Sequence, residues 1–144
     1  MRQERGFTLL ESMVVLGLMT VMSAIAVLNL KKFDQKSSNG ANQVVAQLKR
    51  ARSYAMNSTV TVQVRPSASN RLLATAAQTC SATTRTTIPE LALTLPGGAT
   101  FATTTWTLCY TSRGLSRDSL SIPVQDSSRT RTVQVVLGGG VRVL

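Results

Sequence analysis

The feature that most limits what this chain can fold into is the run from Phe7 to Leu30. It holds 24 residues and a single charge, Glu11. As a helix it would be roughly 36 Å long at about 1.5 Å per residue, enough to cross a bilayer. It contains no proline and one glycine, Gly17. Val, Leu, Met, Ile and Ala fall all around its circumference, so it is not a one-sided core helix. The leader Met1 to Arg5 carries two arginines and one glutamate, and a basic leader holds its own side in the cytoplasm. The expectation is a single-pass anchor with the remainder of the chain on the other side of the membrane.

A cleaved secretory signal is the plain alternative, with Ala24 and Ala26 as its small-residue site. Glu11 argues against it. A carboxylate at mid-membrane costs up to about 2.5–3.5 kcal/mol, less near an end, and such residues usually have a function. The natural counter-charge is a free amino terminus on a neighbouring copy. That implies side-by-side assembly of helices.

Arg5-Gly6-Phe7-Thr8-Leu9-Leu10-Glu11 resembles the class III signal of type IV pilins and type II secretion pseudopilins. The resemblance implies cleavage between Gly6 and Phe7 by a prepilin peptidase, N-methylation of Phe7, and Glu11 as the carboxylate that guides assembly with other subunits. It implies a type IV pilin-like fold, in which a long N-terminal helix spans the membrane with its first half and packs on an antiparallel sheet domain with its second. The expected divisions are a leader at 1–6, a membrane and filament-core helix at 7–30, a helix continuation at 31–58 and a β-rich domain at 59–144.

The formal net charge is +10 with no histidine. Loss of the leader would remove Arg2, Glu4 and Arg5 and leave +9. Such a surface attracts polyanions, or serves only solubility. Cys80 and Cys109 lie in the part the topology places outside the cytoplasm, where a disulfide is favoured. A zinc site would need further ligands, and there are no histidines to supply them.

After a polar stretch from Lys31 to Gly40, in which Gly40 could loosen the helix, apolar residues return at helical spacing. Ala41, Val44, Val45, Leu48, Ala51 and Ala55 form one face, with Met56 alongside; Gln47, Lys49, Arg50 and Arg52 fall toward the other. Beyond Ser58 the period becomes two. Strands are expected at Thr59–Arg65, Asn70–Ala77, Glu90–Leu95, Phe101–Tyr110, Leu120–Val124, Thr130–Leu137 and Val141–Leu144. Ser67-Ala68-Ser69 is read as a hairpin link, Pro123 as an edge or strand end, and Gly138-Gly139-Gly140 as a hairpin turn. A helix followed by six or seven short strands makes an α+β domain with antiparallel sheets.

The helix segment Val44–Met56, with its leucine, Ala-Arg and following alanine, is similar to the GspH/FimT branch of the pilin superfamily. The segment Val133–Val143 is similar to that branch's C-terminal strand pair. Some members bind DNA through a C-terminal Gly-Arg-x-Arg motif. Here Gly140 stands at the first arginine and only Arg142 matches. Arg113, Arg117, Arg129 and Arg131 are the further candidates for a basic patch, or are solvated loop charges. The reading is a minor pilin or pseudopilin of a type IV pilus or type II secretion pseudopilus. A DNA-uptake subunit and a major pilin are the alternatives.

No catalytic constellation and no cofactor is expected. The usual general base is missing, and Glu4, Glu11, Asp34, Glu90, Asp118 and Asp126 show no paired or metal-binding spacing. Trp106 and Tyr110, at even spacing, are read as core rather than as a stacking platform.

Overall fold

A computed structural model describes residues 9–30 and 36–144, with side chains of 25–30 not described. The chain divides into two units, residues 1–35 and 36–144.

In the first unit, α1 runs Leu9–Leu30, with Glu11 in its first turn. Leu9, Leu10, Met13, Leu16, Met19 and Met22 are all exposed, on every side of the helix. A surface this apolar is stable only against lipid or other helices. Among the described residues no helix is long and apolar enough to cross a membrane; the expected span 7–30 extends past the described side chains, which cover 9–24.

In the second unit, α2 (Lys36–Asn57) buries Ser37, Gly40, Ala41, Val44, Gln47, Leu48, Ala51 and Ala55. Gly40 does not loosen the helix. It lies inside α2, and a Cβ there would stand 3.0 Å from the Ala99 Cβ and 3.2 Å from Val124 Cγ1. Its role is close approach to the sheet, which outweighs its poor helix propensity. Whether 31–35 continues the helix lies outside the described residues. The apolar face is also wider than the spacing implies, since Gln47 is buried on it.

Two antiparallel sheets receive this helix. The first contains β1 (Thr61–Ala68), β2 (Arg71–Ala77), β3 (Thr86–Thr87), β4 (Leu93–Thr94) and, after β5, β6 (Leu108–Tyr110), in the order β3-β2-β1-β6 with β4 also on β2. The second contains β5 (Thr100–Phe101), β7 (Leu120–Gln125), β8 (Thr130–Val135) and β9 (Val141–Val143), in the order β5-β7-β8-β9. Alternation sends Val62 and Val64 of the first sheet, and Ile122, Val124, Val133 and Val135 of the second, into the buried core with Val44, Leu48 and Ala51. Burying each large aliphatic side chain contributes about 1.5–3 kcal/mol.

Three strand expectations are corrected. Glu90–Leu95 is a 3-10 turn, Pro89–Leu91, followed by the two residues of β4; the proline sits at the turn's start, where its missing N–H costs nothing. Phe101–Tyr110 is not one strand. Residues 102–105 are exposed and irregular, while Trp106 turns back into the core and meets Phe101 edge-on, centroids 5.8 Å apart. Pro123 is not on an edge strand, because β7 lies between β5 and β8. Its N and carbonyl point to the same side, toward β5; the Ala102 N–H, one residue past β5, donates to the Pro123 carbonyl at 3.0 Å. The missing donor therefore faces a ladder that has already ended, and pairing with β8 is untouched.

Candidate functional site

Gly6 and Phe7, the expected cleavage and methylation positions, lie outside the described residues. Glu11 is within them, in the first turn of α1. The faces around it are the exposed apolar ones.

Cys80 and Cys109 are joined as a disulfide, Cα–Cα 6.0 Å, across 29 residues of sequence. The bond ties the segment after β2 to β6 at the far side of the same sheet. Among the described residues no three of His, Cys, Asp and Glu come together as a metal site.

The five candidate arginines do not share one face. Arg142 is exposed on β9 and its Nε donates to Gln134 Oε1 at 2.8 Å, on the outer side of the second sheet. Arg113 and Arg117 are exposed in the β6–β7 connection. That connection touches the glycine turn before Arg142, since the Ser116 N–H donates to the Leu137 carbonyl at 3.1 Å. Arg129 belongs to the β7–β8 turn, at the other end of a hairpin whose pairing runs from Leu120↔Val135 to Gln125↔Thr130. Five residue steps at about 3.3 Å separate those ends by roughly 17 Å. Arg131 has the parity of Val133 and Val135, the buried face of β8, opposite to Arg142.

Two features were hidden from the sequence. Asp126 Oδ2 accepts from the Ser37 N–H at 2.8 Å, and Oδ1 from the Ser128 and Arg129 N–H groups. The hydrogen bonds from Ser128 and then Ser37 hold its carboxyl well below the usual carboxylate range. Asp126-Ser127-Ser128-Arg129 does have the form of an Asx turn, but nothing in it points to Ser37. The second feature is Arg52, expected on the polar face of α2. Its Nε is buried without a partner where the turns at Gly114 and Gly139 close over the helix. A Cβ on Gly139 would stand 3.1 Å from that Nε and would collide with the Gly114 carbonyl oxygen.

With this geometry in view, the comparisons with known proteins are consistent. Residues 1–27 match the prokaryotic N-terminal methylation motif, and residues 40–139 match the type II transport protein GspH. The chain belongs to the GspH family and is thereby a minor pilin or pseudopilin, a structural subunit of an envelope filament. No match was found among the curated proteins. In fold it is similar to the type IV minor pilin FimU of Pseudomonas aeruginosa, with TM-score 0.60 at 12% identity over 75% of this chain and 87% of that one. It is also similar to the minor pseudopilin EpsH from the type 2 secretion system of Vibrio cholerae, with TM-score 0.53 at 16% identity over 76% of this chain and 97% of that one.

Proposed function

We propose that the chain is made as an inner-membrane precursor, cut between Gly6 and Phe7 by a prepilin peptidase, and methylated on Phe7. The leader stays cytoplasmic, α1 anchors the precursor as a single pass, and residues 36–144 lie outside the cytoplasm. The new amine of one subunit attracts Glu11 of another, strongly in a low-dielectric surround. That pairing sets the axial register while the apolar faces of α1 bundle into the filament core. The role is mechanical rather than catalytic.

The observation that carries this reading is a glycine-phenylalanine junction placed four residues before the one charged residue of a predominantly apolar run. Expression of Glu11→Ala and Gly6→Ala variants tests it. Loss of filament incorporation with the sheet domain intact is expected, and normal incorporation of either variant overturns the reading. The structural neighbours are a type IV minor pilin and a type 2 secretion pseudopilin, so loss of pilus function or of protein secretion on deletion tells which machine this subunit serves. A DNA-binding role is supported by the +9 charge of the processed chain and by Arg142. The scatter of the other arginines counts against it.

A further inference from the structure

We propose that the outer face of the first sheet carries a binding site for a ligand bearing a phosphate or carboxylate group, in a hollow roofed by the disulfide-tethered segment 79–87. The pairing of the sheet places Cys109, Gln63, Thr75 and Thr87 in one row across β6, β1, β2 and β3. All four stand on the side away from α2, as the alternation with buried Val62, Val64 and Ala74 requires. The segment between β2 and β3 then reaches back across this row and is fixed to its far end by Cys80–Cys109. Between the roof and the floor lies a hollow of about 520 Å³, lined by Gln63, Arg65, Thr75, Thr83, Arg85 and Thr87 among others.

The chemistry of the lining is one-sided. It contains two guanidinium groups and several hydroxyls, and no carboxylate. Arg85 is held in place from behind, its Nη2 donating to the carbonyls of Thr79 and Cys80. Its Nη1 is buried and has no partner. Thr75 is 7% exposed, and its Oγ1 is likewise buried and unpartnered. Arg65 is exposed at the mouth. Unsatisfied buried donors are costly, and an arginine already oriented by two carbonyls loses little freedom on gripping an oxyanion. A phosphate or carboxylate entering past Arg65 would lie against the Arg85 and Thr75 side chains that line the hollow, and a small shift of either would bring an unpartnered atom onto it. The volume is larger than one such group needs, which leaves room for a sugar or a short side chain attached to it.

The test is a backbone amide titration of the full chain in detergent micelles with inorganic phosphate, glucuronate and, as the uncharged comparison, glucose. Saturable shifts centred on Gln63, Thr75, Arg85 and Thr87 are expected with phosphate, glucuronate or both, and none with glucose. Which anion binds more tightly identifies the ligand's charged group. Arg65→Gln, which leaves the hydrogen bonds of the roof untouched, should weaken binding by about tenfold or more. Thr75→Val should weaken it without lowering thermal stability, and Lys49→Gln on α2 should leave it unchanged. Absence of saturable shifts at millimolar anion would overturn the proposal, as would equal binding by the Arg65→Gln protein or equal loss in the Lys49→Gln protein.

Discussion

The Asp126 carboxylate accepts the Ser37 N–H of α2 at 2.8 Å, across 89 residues of sequence. The bond joins the β7–β8 turn to α2, so the second sheet and the helix are fixed to each other there by a charge-assisted contact. Because the carboxyl is held below its ordinary range, its protonation opposes folding. The folded value lies under the unfolded one, so this stabilisation is complete above about pH 4 and is lost as pH falls further. Asp126→Ala should lower Tm by a few degrees near neutral pH, and the gap from the parent protein should narrow below about pH 4. Asp126→Asn, which keeps an acceptor but not the charge, should fall between them. Thermal melts from pH 7 to pH 2 make the comparison.

Tyr110 is fully buried and its hydroxyl has no partner. Burial pushes its pKa up to about 12, with the charge of Arg52 pulling the other way. Here the folded value lies above the unfolded one, so the contribution is complete below about pH 10 and is lost as pH rises toward 12. In a Tyr54→Phe background, the phenolate absorbance of Tyr110 should develop about two units later than that of the unfolded chain. Tyr110→Phe should be neutral or slightly stabilising at pH 7, because it removes a polar group that makes no bond.

Thr59 follows α2 with φ of 55°, a conformation that a β-branched residue adopts only under strain. Glycine relieves it, at some cost from its greater freedom in the unfolded chain. Thr59→Gly should therefore stabilise the domain by roughly 0.5–1 kcal/mol, and Thr59→Val should not. Urea denaturation monitored at Trp106 distinguishes them.

The disulfide closes a loop with a sequence separation of 29, for which the chain-entropy account gives roughly 3–4 kcal/mol. Reduction, or paired Cys80→Ser and Cys109→Ser replacement, should lower the urea midpoint accordingly. Amide protection should fall first in the segment 79–87, which has few other tethers.

The apolar face of α2 and the alternating strands β1, β7 and β8 could be read along the chain, because helix and strand periods act over neighbouring residues. What could not be read depends on positions far apart in sequence. The acceptor for the Ser37 N–H comes from Asp126, and the place of Gly40 is dictated by Ala99 and Val124. The break at Trp106 arises because its ring reaches Phe101 and the core, which local alternation does not encode. The same holds for the hollow on the first sheet. Gln63, Thr75 and Thr87 become neighbours only through strand register, and Arg85 stands over them only because Cys80 is tied to Cys109. By contrast, the proposed junction at Gly6 and Phe7 and the proposed role of Glu11 rest on six consecutive residues, and so on no strand register or distant partner.

The proposed processing is read most plainly from the intact mass of the protein recovered from the cell envelope. A chain that begins at Phe7, carries one added methyl group on its amino terminus and contains the Cys80–Cys109 disulfide is expected. Recovery of a chain that still begins with Met1 to Gly6, in cells with an active prepilin peptidase, would contradict it.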